Sequence, residues 1–227
     1  GEIEKERPVI LQEIRMVDES PDEYVHLLSG KNFWGDNPLG RSILGRPENI
    51  IRFDADSMKT YFHRLYQPDR IVISVAGNVA HTDIIDRVGP AFESIKPGNG
   101  IAERITPQSR SHVEVHDKDL EQVHICIGAP GFSITDPRRY AYSLLNTILG
   151  GNMSSRLFQV VREKHGLAYS VHSGIHLYAD TGVLDVAAGV DTRRIPKATE
   201  LIFGELARLK DKPVSRRELR RAKDYAI

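Results

Sequence analysis

With 227 residues, 40% of them apolar and 27% charged, the chain can bury one large core or two modest ones of roughly 100 residues each. Its 31 Lys and Arg balance 31 Asp and Glu, so no net field draws it to phosphate backbones or an anionic bilayer, and nucleic acid is a poor partner. No apolar run approaches the ~20 residues that cross a bilayer, so no membrane span is expected. The single cysteine, Cys126, excludes an internal disulfide and reads as an ordinary strand residue; a reducing, cytoplasmic setting is the expectation.

Along the chain, Ile3, Ile10, Ile14 and Val17 recur near helical spacing behind a charged start and predict an amphipathic helix. Pro8 removes a helix hydrogen bond and clashes with the carbonyl of Glu4, which sets Glu6 ahead of the helix with Pro8 in its first turn. Ser20, Pro21 and Glu23 spell a second helix start, running to about Leu28. Asn37 to Pro47 is a loop, and Asp56 or Ser57 opens a helix carrying Met58, Tyr61, Phe62 and Leu65. Ile71 to Ala76 reads as a buried strand, followed by a helix through Ile84, Ile85, Val88 and Phe92.

Lys96 to Ser111 holds Pro97, Gly98, Gly100 and Pro107 without periodicity and suits a linker. Two alternating strands follow, around Val113–Val115 and Val123–Ile127, then a helix from Asp136 through Ile148 that Gly150-Gly151 breaks. A helix restarts at Ser154 or Ser155, strands at 167–177 and 182–190 flank a hairpin turn, and two helices end the chain, the last with a Ser215/Glu218 capping box. This pattern predicts an α+β class in two lobes of mixed sheet packed with helices, divided as 1–104 and 105–227.

Chemistry-bearing motifs are sparse. His112/His116 and His172/His176 have the spacing that grips zinc from a helix, but both lie in strand patterns, where four residues separate them by roughly 13 Å. Two zinc bonds of about 2 Å cannot bridge that. No Cys-x-x-Cys, Walker loop or Gly-x-Ser-x-Gly elbow is present. Glu6 and Glu13 share a face if their helix is continuous, and alone read as solvated charges.

Longer motifs change that reading. Glu4 to Ile14 resembles the helix that follows the catalytic helix in the insulinase/pitrilysin zinc metallopeptidases. Pro38-Leu39-Gly40 with Ile43-Leu44-Gly45, then Tyr66 to Asn78, look like the loop and strand that come next in that family. Leu149-Gly150-Gly151-Asn152-Met153-Ser154-Ser155-Arg156-Leu157-Phe158 and Val161 to Ser170 are similar to the most recognisable stretch of its second domain, in the processing-peptidase branch above all. The resemblance covers nearly the whole chain and implies metallopeptidase-like lobes of processing-peptidase type.

It also implies roles. Glu13 matches the downstream glutamate that binds zinc. Glu6 matches a second acid that assists proton transfer or orients a ligand. Arg162 and Tyr169 match the pair that holds the substrate backbone, the tyrosine also facing the oxyanion. The His-x-x-Glu-His motif is absent from these residues and is expected upstream of Gly1, the chain resembling a piece truncated at both ends. The resemblance therefore implies a fragment of a zinc endopeptidase cleaving unfolded peptides or presequences, itself inactive, with zinc in the complete protein and none held stoichiometrically by this stretch. A homodimer or paired subunit is expected beside a peptide substrate. The alternative is a non-catalytic paralogue serving as partner subunit or scaffold.

Overall fold

The computed structural model describes residues 1–93, 95 and 104–226. Its class is α+β, as expected: helices and, among the described residues, one three-stranded antiparallel sheet. Much of the expected linker, 96–103, lies outside the described residues. Packing groups the chain into two units, 1–13 with 45–105, and 14–44 with 106–227.

Helix α1 (Glu2–Glu19) contains Pro8. The expectation that Glu6 precedes the helix is corrected: the turn ahead of Pro8 is held by other bonds. Glu4 N–H donates to Gly1 O (3.1 Å), and Arg7 pairs with Glu4 at 2.7 Å. The same guanidinium donates to the carbonyls of Ile50 (2.5 Å), Ile51 (2.7 Å) and Phe53 (2.9 Å). These are orphan carbonyls at the end of α3 (Pro47–Arg52), where a cation suits both hydrogen bonding and the helix dipole. One missing i→i−4 bond is outweighed.

The rest of the first unit is α4 (Ala55–Leu65) and α5 (His81–Phe92). Asp54, not Asp56 or Ser57, caps α4 in a reciprocal box with Ser57 (2.8 and 3.0 Å). Residues 71–76 are not a strand: they pair with no ladder among the described residues, and Val72 is 90% exposed. No described residue of this unit is buried.

In the second unit, α2 (Pro21–Trp34) runs past the expected stop to Gly35, whose φ of 59° ends it. Burial of Phe33 and Trp34 against Val183 holds the added turns. The Ser20/Glu23 box does not form; the Ser20 hydroxyl donates to Asp22 (2.7 Å) instead. The expected strand at 113–115 is also corrected: Val113 and Val115 are 85% and 86% exposed and lie in no ladder. Alternation makes a strand only where a neighbour pairs with it and one face is covered.

The sheet orders β1 (Val123–Pro130), β3 (Gly182–Val190) and β2 (Ala168–Leu177) as β1-β3-β2. One face buries Val171, Val186, Ala188 and Val190 against Leu149 of α6 (Arg139–Leu149), Leu157, Val161, and Ala198 and Ile202 of α7 (Ile195–Asp211). The other face meets α2, with the Phe33 ring over Gly128 so closely that a Cβ there would meet it at 2.9 Å. Both faces of β3 are covered, which is why its run is apolar nearly throughout.

Glu205 interrupts the core face of α7, buried at 4% exposure. Arg208 neutralises it at 2.7 Å, with Arg156 at 4.0 Å. Arg156 also forks onto Glu218 of α8 (Arg216–Ala226) at 2.7 and 2.8 Å. Ser215 accepts the Glu218 N–H (3.2 Å), as a cap should, while the Glu218 carboxylate goes to Arg156.

That hydrogen bond, with the charge of Arg156 behind it, holds the Glu218 carboxyl below the usual glutamate range. A carboxyl depressed by folding adds stability above its unfolded pKa of about 4.3, and that stability is lost as pH falls through the lower folded value. The melting temperature is thus expected to exceed that of Glu218→Gln at neutral pH, the gap closing as pH drops below about 4. A gap independent of pH would show that the charge contributes nothing.

Candidate functional site

Glu6 and Glu13 lie on one continuous helix, about 10 Å apart along its axis and within about 20° of one face. Nearby Glu2 and Glu4 are taken by Lys5 (2.9 Å) and Arg7 (2.7 Å). Glu6 and Glu13 are exposed and have no hydrogen-bond or ion-pair partner among the described residues. Their carboxylates are free to serve a ligand. Glu13 thus fits a zinc donor in chemical type, as one carboxylate of the three or four protein ligands zinc requires.

In the second unit, Arg162 and Tyr169 come together through two local irregularities. Arg162 stands in a π-helical segment, Phe158–Lys164. Gly166, at φ 59°, turns the chain back, with its N–H on Arg162 O (2.9 Å) and the Leu167 N–H on Val161 O (3.0 Å). Arg194 pins the turn by donating to Gly166 O (2.7 Å). In β2 the register shifts between Ala168, opposite Val190, and Ser170, opposite Gly189, so Tyr169 is the extra residue of a β-bulge. A bulge re-aims its side chain.

Tyr169 is 77% exposed, and the Arg162 guanidinium lies 5.9 Å from its ring centroid and 4.8 Å from that of Phe158. Two rings thus position a cation that has no carboxylate partner among the described residues. A packed aromatic would be buried. This one presents its hydroxyl.

One cluster was not legible as a site in the sequence. Donor atoms of His26 on α2, Cys126 on β1 and Asp185 on β3 lie within 4.8 Å of one another. Burial, and behind it the charge of Asp185, pushes the Cys126 thiol up, against a hydrogen bond with Ser29. Burial and the same charge push the Tyr142 phenol up to about 12. The residues are spaced 100 and 59 positions apart, and only the face shared by β1 and β3 brings them together.

Residues 52–225 match the family described as the peptidase M16 inactive domain; Arg162 and Tyr169 fall within that match, Glu6 and Glu13 ahead of it. The chain is 38% identical over 226 residues to an uncharacterized zinc protease of Bacillus subtilis, YmxG, covering 99% of this chain and 54% of that protein. It is 37% identical to an uncharacterized zinc protease of Streptomyces coelicolor, over 97% of this chain and 50% of the relative. The chain therefore spans about half the length of the curated relatives it matches. Among solved structures, a peptidase M16 inactive domain from Pseudomonas fluorescens superposes with a TM-score of 0.85 at 23% identity, covering 99% of this chain and 55% of that one. A protease from Helicobacter pylori gives 0.84 at 21% identity, over 99% and 56%. These two show the fold, and the matched residues and the closer relatives show the lineage: the chain belongs to the M16 family of peptidases, the insulinase/pitrilysin family its motifs resemble.

Proposed function

We propose that this chain is part of a zinc endopeptidase that cleaves unfolded peptides, contributing one zinc donor from its first part and a substrate clamp from its second. In this reading 1–104 closes the first α+β domain and 105–227 opens the second. Bound zinc supplies a Lewis acid and lowers the pKa of its water. Glu13 contributes a carboxylate to the metal, and Glu6, on the same face of α1, orients that ligand or relays a proton. Arg162 donates to carbonyls of an extended peptide, and the Tyr169 hydroxyl donates to the oxygen on which negative charge develops.

The observation that carries this reading is the convergence of a π-turn and a β-bulge on Arg162 and Tyr169. Both are departures from regular pairing that packing alone does not require. Both irregularities are found disproportionately beside functional sites, and here they leave a guanidinium and a phenol exposed side by side. The names of the relatives as zinc proteases support the reaction class.

Arg162→Ala in a full-length protease carrying this chain tests it. A clamp on substrate carbonyls acts in ground state and transition state alike, so KM is expected to rise by about tenfold or more, from the low end of the about 1.5–3 kcal/mol of a charged hydrogen bond, while peptide hydrolysis stays chelator-sensitive. Unchanged KM and kcat/KM would reject the clamp.

A further inference from the structure

We propose that His26, Cys126 and Asp185 form a binding site for a divalent transition-metal ion of the zinc class. The donors are an imidazole nitrogen, a thiol sulfur and a carboxylate oxygen, the mixture that zinc and cobalt accept. Cys126 Sγ lies 3.9 Å from His26 Nδ1, and no pair among the three ligand atoms exceeds 4.8 Å. Tetrahedral bonds of about 2.0–2.3 Å put ligand atoms about 3.3–3.8 Å apart. The cluster must therefore contract by up to about 1.5 Å, within reach of side-chain rotamer adjustments, those of the exposed His26 on α2 included.

Asp185 gives the second, independent observation. It is 7% exposed, and its Oδ1 has no hydrogen-bond donor among the described residues. His176 Nε2 sits 3.0 Å from that oxygen, close enough to pair by charge but not aligned as a hydrogen bond. A buried carboxylate without a donor is costly unless a cation meets it. A divalent ion bound by one thiolate and one carboxylate is net neutral, and it gives this buried carboxylate a full counter-charge.

Binding takes Cys126 as thiolate, its proton passing to solvent, and leaves a fourth position for water at the exposed His26 edge. His176 then orients the carboxylate from behind, the usual place for a partner of a metal ligand. His172, whose ring lies 6.0 Å from that of His26, flanks the same edge. The expectation of no stoichiometric metal rested on Glu13 and on histidine pairs along one strand. This cluster joins a helix and two strands, and would tie α2 to the sheet.

Cobalt(II) titrated into the 227-residue chain tests the proposal. One equivalent is expected to bind with an intense near-ultraviolet thiolate-to-cobalt charge-transfer band, which zinc displaces and which a metal held by Glu13 cannot produce. Cys126→Ser should abolish the band, and Asp185→Asn should weaken cobalt binding at least tenfold, both with wild-type circular dichroism. Absence of the band on stoichiometric cobalt, or tight binding with an unchanged spectrum in Cys126→Ser, would overturn the site. Should Asp185→Asn fail to fold, the isosteric Cys126→Ser decides alone.

Discussion

Tyr169→Phe, in a full-length protease carrying this chain, is expected to lower kcat by about 10²–10³-fold, the about 2.7–4 kcal/mol typical of one oxyanion donor. The effect is local. The side chain is 77% exposed on a bulge, so removal of its hydroxyl takes nothing from the core, and the ring that faces Arg162 remains. Melting temperature should stay put, and KM should move little, because the hydroxyl acts on charge that forms only at the transition state. Wild-type turnover in a folded Tyr169→Phe enzyme would return Tyr169 to the status of a surface aromatic.

Ile202→Ala should destabilise the second unit by about 2–5 kcal/mol. Ile202 is fully buried on α7, in the cluster of Leu149, Leu157, Val161, Val186 and Val190, and the backbone of a sheet covered on both faces cannot collapse into the void. Urea unfolding of the 227-residue chain should show a lower midpoint with an unchanged slope. Phe203, one position on and 52% exposed, is the internal control: its truncation should be distinctly milder. Equal losses at the two positions would mean that α7 does not bury the face assigned to it.

What the sequence disclosed depended on where the deciding force lay. The two closing helices, α7 and α8, were legible, and so were β1, β3 and the turn between β2 and β3. Period and turn chemistry are local. Residues 71–76, an apolar run, and 113–115, an alternating one, form no ladder among the described residues, because pairing is a property of the neighbour. The true length of α2 was hidden because Phe33 and Trp34 are held by Val183, 149 or more positions away. Pro8 misled for a similar reason: Arg7 bonds to carbonyls more than 40 residues on.

The site divided in the same way. Arg162 and Tyr169 could be named from the long motif that contains them, yet nothing in the letters announced that a π-turn and a bulge bring them together. His26, Cys126 and Asp185 have no spacing to read at all. Cys126 fits the alternation of its strand as a small apolar residue would, and it gains its neighbours only through sheet register and the packing of α2.

The π-helical segment makes this corner of the molecule sensitive to chain length as well as to side-chain identity. Its hydrogen bonds reach one residue further than those of an α-helix, so loss of one residue between 158 and 161 lets the backbone relax into a more comfortable helix. That relaxation takes up the lost residue, so Arg162 keeps its direction, whereas an added residue finds the turn already widened and swings Arg162 by about 100° away from Tyr169. Insertions here therefore separate functional from merely structural copies more sharply than single deletions do.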